Sequence, residues 1–244
     1  MIATTWRLPD APLRSSAVAT KSIVLLAGVG LAAAARTGLP VGALYAVKAP
    51  LAFAVMMLLS LGYLQQHHPF ARFGSANQIT TVRALLVALV VCLIGEPRVP
   101  AIAASAAAAS LAVALLDGVD GWLARRYGIA SDFGARFDME IDALLILALS
   151  LLVWRFGKAG AWVVASGALR YAFVATGLRW SWLRAPLPPS RRRQAVCVFQ
   201  VAALTIALVP FIVPPLSTII TASALAALVY SFLVDILCLW RRAG

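Results

Sequence analysis

Long apolar stretches recur along the whole chain and limit the folds that it can adopt. Of its 244 residues, 62% are apolar and the mean hydropathy is +0.91, whereas soluble domains contain about 45–50% apolar residues. Backbone N–H and C=O groups in lipid have to be satisfied within their own segment, so an apolar stretch of about 20 residues crosses a membrane as a helix. The sequence therefore predicts an all-α polytopic membrane protein.

The apolar windows predict eight membrane segments, separated by connections rich in proline and glycine. The first segment is short for a bilayer, and the basic residues before it resemble those of a signal peptide. A second apolar stretch follows closely, so we interpret the first as a retained membrane helix. The predicted segments are Ser22–Ala35, Ala43–Leu64, Ile79–Ile94, Ala101–Ala124, Ile141–Phe156, Ala161–Leu178, Ala195–Ile212 and Leu216–Trp240.

The net charge of +12 comes from Lys and Arg residues that lie mostly in the connections on one side of the predicted bundle, with Arg83 counted among them. Such an excess marks the cytoplasmic side. We therefore expect both termini, and the connection that follows the fourth segment, to be cytoplasmic, as in a bacterial inner-membrane protein. The charge is not gathered in one soluble basic domain, which argues for membrane lipids and against nucleic acid as partners.

A cluster of carboxylates interrupts this apolar and basic sequence. A carboxylate near hydrocarbon is costly unless it is paired or bound to a cation. Asp117 and Asp120 are three residues apart, and Asp138 and Asp142 are four apart, so each pair shares one face of a helix. The short connection between the two helices makes them antiparallel neighbours, so the two faces can meet. Six of the nine acidic residues belong to this region: Asp117, Asp120, Asp132, Asp138, Glu140 and Asp142.

Four carboxylates without a nearby His or Cys favour a hard cation such as Mg²⁺ or Mn²⁺. They can hold two such ions, an arrangement suited to phosphoryl displacement. One alternative is a set of structural ion pairs with Arg125, Arg126 and Arg136. Another is a divalent-cation-binding membrane transporter, which would place acidic groups near the middle of the bilayer on broken helices. Here the carboxylates are predicted at one edge of the membrane, beside arginines.

Two strings of polar and small residues stand out in the sequence. They are Asp117-x2-Asp120-Gly121-x2-Ala124-Arg125-x8-Gly134-x3-Asp138-x3-Asp142 and Asn77-x2-Thr80-x2-Arg83. The first string resembles the defining motif of the CDP-alcohol phosphotransferase (CDP-alcohol phosphatidyltransferase) family and matches it at every fixed position. The second is similar to that family's Pro-Asn-x-x-Thr-x-x-Arg element, with Ala76 where Pro is usual. The resemblance covers about Ala76 to Trp240.

The resemblance implies a six-helix membrane enzyme of phospholipid synthesis. Such enzymes transfer a substituted phosphate from a CDP-linked donor, often CDP-diacylglycerol, to a small alcohol acceptor and release CMP. It implies that Asp117, Asp120, Asp138 and Asp142 bind two divalent cations, Mg²⁺ or Mn²⁺, and that Asp142 is also the general base. The residues that it implies for nucleotide and donor binding are Asn77, Thr80, Gly121, Ala124, Arg125, Ser131 and Gly134.

A set of arginines is predicted to bind phosphate or the acceptor. These residues would suit a phosphorylated polyol such as glycerol 3-phosphate or an inositol phosphate, while choline, ethanolamine and serine stay open as acceptors. The set is Arg136, Arg170, Arg191, Arg192 and Arg193. For Arg191, Arg192 and Arg193, the alternative is a role in membrane orientation by the positive-inside rule or in binding anionic lipids.

The resemblance also divides the chain. Residues 76–244 are predicted to form the catalytic six-helix domain, and residues 1–70 an N-terminal extension with about two membrane helices. Three roles are open for this extension: it can pack against the six helices, form a homodimer contact or hold a lipid entrance.

Overall fold

The computed structural model describes residues 8–128, 131–185, 187–188 and 190–243, without the side chains of residues 65, 66, 124, 125, 181 and 243. Eight α-helices make up most of these described residues. No β-strand occurs in these residues, so the prediction of an all-α protein is confirmed. The helices are α1 (Ala11–Gly38), α2 (Tyr45–His67), α3 (Ser75–Cys92), α4 (Pro100–Tyr127), α5 (Asp132–Arg155), α6 (Ala165–Arg179), α7 (Arg191–Leu208) and α8 (Leu216–Ala243).

Within this described part, six helical segments are long and apolar enough to cross a membrane. They are α1 to α4, α8, and α6 together with the 3₁₀ turn before it, Ala161–Arg179. α5 and α7 are not among these segments, because acidic residues lie along the first half of α5 and α7 begins with three arginines. The polytopic membrane class is confirmed by these six segments, and the crossing of the membrane by α5 and α7 stays a prediction.

Helix ends are fixed by backbone chemistry rather than by hydrophobicity. α4 is followed by Gly128 at φ +62° and α5 is followed by Gly157 at φ +66°, the left-handed conformation in which glycine ends many helices. The prediction that the seventh segment reaches Ile212 is wrong, because α7 ends at Leu208. Val209 leaves the helical conformation at ψ 129°, as expected of a residue that precedes a proline, here Pro210.

The chain folds into two compact units, the first formed by Met1–Ile102 and Ala108–Asp142. In this unit α1 packs against α2 and α3, and α2 packs against α3. The buried Lys21 of α1 donates hydrogen bonds to the Met57 carbonyl oxygen at 3.2 Å and to Ser60 Oγ at 2.6 Å. These partners compensate the loss of hydration of its ammonium group.

The second unit is formed by Ala103–Ala107 and Ala143–Gly244. In it α7 packs against α8, and leucine side chains of α5 and α7, such as Leu149 and Leu204, are fully buried. The boundary predicted between residues 1–70 and 76–244 stays a prediction.

Lys158, in the connection between α5 and α6, ties that connection to the turn between α7 and α8. Its ammonium nitrogen donates to the carbonyl oxygens of Val209 at 3.2 Å, Pro210 at 3.0 Å and Ile212 at 2.5 Å. Its own carbonyl oxygen accepts a hydrogen bond from Ser217 Oγ at 2.6 Å. The three hydrogens of the ammonium group thus meet three carbonyl oxygens that no helix satisfies.

Candidate metal and donor site

The guanidinium group of Arg83, on α3, contacts all four aspartates that the sequence predicts as metal ligands. Nη2 lies 2.7 Å from Asp117 Oδ1 and 2.5 Å from Asp142 Oδ1. Nη1 lies 2.8 Å from Asp120 Oδ2 and also pairs with Asp138. The Arg83 side chain is 0% exposed. The structure therefore brings the carboxylates of α4 and α5 together around one cation from α3.

The residues reach this position because of their spacing on regular helices. Asp117 and Asp120 are one turn apart on α4, as are Asp138 and Asp142 on α5. Thr80 lies one turn before Arg83 on α3, and its hydroxyl donates a hydrogen bond to Asp120 Oδ2 at 3.0 Å. Asp120 is therefore the most constrained of the four carboxylates, and it is also the most buried.

The charges of this cluster do not balance. Four carboxylates against one guanidinium leave three negative charges when all four are ionised. Carboxylate oxygens of Asp117, Asp120 and Asp138 lie within 4.8 Å of one another. Such a set of oxygen ligands with excess negative charge suits hard divalent cations. The residues present therefore fit the predicted cofactor.

Arg83 belongs to the second string that resembles the family, but the sequence reasoning assigned it no role in the site and counted it among the arginines that set the topology. Its position in an apolar segment was a further signal, since an ionisable residue there indicates a function. The ion-pair alternative named Arg125, Arg126 and Arg136 instead. Arg126 and Arg136 are exposed, and the side chain of Arg125 lies outside the described residues.

Three of the residues predicted to bind the donor meet where α3 faces the start of α5. Asn77 Nδ2 donates to the Phe73 carbonyl oxygen at 2.6 Å, and the Gly134 backbone N–H donates to Ser131 Oγ at 3.0 Å. A Cβ atom on Gly134 would lie 2.8 Å from Asn77 Oδ1 and 3.2 Å from Ser131 Oγ. Only a residue without a side chain allows this approach.

Three other predicted donor-binding residues lie on α4. Gly121 follows Asp120 and is half-buried. The side chains of Ala124 and Arg125 lie outside the described residues, so their predicted contacts with the CDP portion stay predictions.

Of the arginines predicted to bind phosphate, Arg136 is exposed on α5 in the first unit, and the other four belong to the second unit. There, Arg170 is half-buried on α6 and Arg191 is exposed at the start of α7. Arg192 and Arg193 both pair with Asp235 Oδ1 of α8, at 2.5 and 3.4 Å. Roles of these residues in acceptor binding stay predictions.

The model of a family described as CDP-alcohol phosphatidyltransferase matches residues 73–234, more than half of the chain. The chain is also similar to a CDP-diacylglycerol–glycerol-3-phosphate 3-phosphatidyltransferase of Bacillus subtilis (strain 168), with 28% identity over 118 residues. This match covers 44% of the chain and 61% of the relative, so it spans less than two thirds of the relative's length. No solved structure matches.

Proposed function

Because the chain belongs to the CDP-alcohol phosphatidyltransferase family, we propose that it is an integral-membrane transferase of phospholipid synthesis. It transfers a substituted phosphate, most simply phosphatidyl, from a CDP-linked donor such as CDP-diacylglycerol to an alcohol, with release of CMP. The observation that carries this proposal is the convergence of four aspartates on Arg83 within the residues matched by the family.

Asp117, Asp120, Asp138 and Asp142 would hold two divalent cations, Mg²⁺ or Mn²⁺. When bound, these cations neutralise the negative charge of the donor's pyrophosphate, which otherwise repels an oxygen nucleophile. The excess of four carboxyl groups over one guanidinium group supports this assignment. Arg83 holds the four carboxylates close to one another, and Thr80 fixes Asp120.

The proposed reaction is a direct displacement at phosphorus. The hydroxyl oxygen of the acceptor forms a bond to the phosphorus that carries the diacylglycerol, and the bond from that phosphorus to the CMP oxygen breaks. Asp142 takes the proton that the hydroxyl loses, and CMP leaves with the electron pair of the broken bond. The side chain of Asp142 is 22% exposed, so the carboxylate is accessible from outside the cluster.

The donor pocket would be formed by the nucleotide-binding set, Asn77, Thr80, Gly121, Ala124, Arg125, Ser131 and Gly134. Support comes from the close approach of Asn77 and Ser131 to Gly134. These residues meet at the first turn of α5, where helix N–H groups and the helix dipole favour phosphate.

Replacing Gly134 with alanine is expected to raise the KM for CDP-diacylglycerol about tenfold or more, since the new methyl group would collide with the side-chain oxygen of Asn77. Asn77 is buried and bound to the Phe73 carbonyl oxygen, so moving it to relieve this collision would break that bond and distort the pocket. Steady-state CMP release at varied donor concentration measures the effect, for which a factor of ten corresponds to about 1.4 kcal/mol.

Gly118→Ala is the matched control, because a Cβ atom at Gly118 meets nothing within 4 Å. It also replaces a helical glycine and is expected to leave the KM unchanged. Equal effects of the two substitutions would contradict the proposed pocket.

A phosphorylated polyol such as glycerol 3-phosphate is the proposed acceptor, and Arg136 is the arginine of the predicted set that belongs to the same unit as the four aspartates. The name of the Bacillus relative, which refers to glycerol 3-phosphate, supports this choice. From the distribution of Lys and Arg we further propose that the active site and both termini face the cytoplasm.

The transporter alternative lacks the structural feature that it needs. α4 and α5 run as continuous helices through the four aspartates, whereas transporters bind cations where membrane helices are interrupted.

The proposed function is tested with purified protein, CDP-diacylglycerol and a panel of acceptors: glycerol 3-phosphate, inositol phosphate, choline, ethanolamine and serine. We expect CMP release with glycerol 3-phosphate when Mg²⁺ or Mn²⁺ is present. Addition of EDTA should abolish this release, and excess Mn²⁺ should restore it. Absence of CMP with every acceptor would overturn the proposal.

A further inference from the structure

We propose that His68 is a positioning residue for the donor pocket, because it fixes the hydroxyl group of Ser131. His68 lies in the connection between α2 and α3, before the residues matched by the family. The inference rests on the proposed function, in which Ser131 contacts the nucleotide part of the donor. It gives the N-terminal part of the chain a direct connection to that pocket.

His68 is held on both ring nitrogens. Its Nδ1 lies 3.1 Å from Ser131 Oγ, and its Nε2 lies 2.9 Å from the Arg72 carbonyl oxygen. The ring packs edge-on against Phe70 and Phe133, with centroids 5.4 and 6.1 Å apart, and the residue is 7% exposed. These contacts leave the imidazole a single orientation.

The Arg72 carbonyl oxygen determines which nitrogen carries the hydrogen. A carbonyl oxygen can only accept, so His68 Nε2 has to donate. In the neutral imidazole Nδ1 is then an acceptor, and the hydroxyl hydrogen of Ser131 is directed at it.

Ser131 has a second fixed bond. Its Oγ accepts the backbone N–H of Gly134 at 3.0 Å and so caps the N-terminus of α5. With its hydrogen on His68 and one lone pair on Gly134, the hydroxyl oxygen keeps one lone pair for a ligand. Ser131 therefore offers the nucleotide a hydrogen-bond acceptor, suited to an N–H or O–H group such as the cytosine amino group or a ribose hydroxyl.

Two substitutions separate the two nitrogens of His68. His68→Gln keeps a side-chain N–H at the position of Nε2, near the Arg72 carbonyl, and loses the acceptor for Ser131. His68→Asn keeps an acceptor at the position of Nδ1 and loses the bond to Arg72. The matched control is His67→Gln, since the neighbouring His67 has an exposed bond to the Tyr63 carbonyl oxygen of its own helix.

The experiment measures CMP release by detergent-purified full-length variants at varied CDP-diacylglycerol concentration. We expect His68→Gln to raise the donor KM about 3- to 10-fold, the range for loss of one hydrogen bond, with kcat within about twofold of the wild type. His68→Asn should raise the KM clearly less than His68→Gln does, and His67→Gln should keep the KM near the wild-type value. Size-exclusion chromatography and thermal unfolding verify that each variant is folded.

Ser131→Ala completes a double-mutant cycle. If His68 acts through Ser131, His68→Gln combined with Ser131→Ala should have a KM no higher than that of Ser131→Ala alone. Additive effects, an unchanged KM in His68→Gln, or an equal loss in His68→Asn and His68→Gln would each overturn this inference while the wild type is active. A wild type that releases no CMP with any acceptor would overturn the proposed function and this inference together.

Discussion

Replacing Asp142 with asparagine is expected to lower CMP release by roughly 10³-fold, to the background of the assay, because a positioned general base contributes about 10²- to 10⁴-fold. Asparagine has nearly the same shape as aspartate, but it cannot take the proton of the acceptor hydroxyl. Arg83 keeps three of its four carboxylate partners in this variant. The fold should therefore persist, and circular dichroism and thermal unfolding can verify it.

The control for this experiment is Glu140→Gln. It makes the same change of charge two residues earlier on α5, at an exposed side chain. We expect it to retain activity with saturating Mn²⁺, at which both variants should be compared with the wild type. An Asp142→Asn protein that releases CMP at the wild-type rate would contradict the proposed role of Asp142 as the general base.

Replacing Arg83 with glutamine is expected to destabilise the protein by about 3–5 kcal/mol in EDTA, the usual cost of removing one partner from a buried ion pair. The loss arises because four carboxylates then face one another without a cation from the chain. Mn²⁺ should recover much of this stability. A ligand that binds only the folded state stabilises it by about 2.7 kcal/mol at a hundred times its Kd.

Thermal unfolding in detergent, with EDTA or with Mn²⁺, measures this difference. Arg98→Gln is the control, because Arg98 is exposed in the connection between α3 and α4. Its unfolding temperature should match that of the wild type in both conditions. An Arg83→Gln protein that is destabilised equally with and without Mn²⁺ would contradict the view that cations balance the carboxylates.

The geometry of the aspartates was predictable because it is local. Residues three or four apart on a helix share a face whatever the helix packs against, so the pairs Asp117 with Asp120 and Asp138 with Asp142 followed from spacing. Arg83 was not predicted at their centre because its contacts are long-range; Asp117, its nearest aspartate partner along the chain, is 34 residues away. Spacing on one helix does not show which side chain a second helix inserts.

The helix ends, and the different positions of the adjacent His67 and His68, also could not be predicted from local sequence patterns. Apolar windows predicted a first segment that starts at Ser22, but α1 begins at Ala11. Its polar first part has partners on other elements, such as the Phe73 backbone N–H that donates to Ser16 Oγ at 3.3 Å. Likewise, two adjacent histidines are equivalent in the sequence, and tertiary packing turns His68 inward while His67 stays at the surface of its own helix.

In the second unit, the carbonyl oxygens of the turn between α7 and α8 are paired with a cation of the chain itself, the ammonium group of Lys158. A turn whose carbonyl oxygens converge is the kind of backbone that often binds a metal ion, and here a tethered ammonium group takes that place. Because this cation is covalently part of the chain, it cannot be diluted, chelated or exchanged. The turn between α7 and α8 therefore needs no ion from the surrounding solution to pair these carbonyl oxygens, whereas the cations proposed for the aspartate cluster would come from that solution.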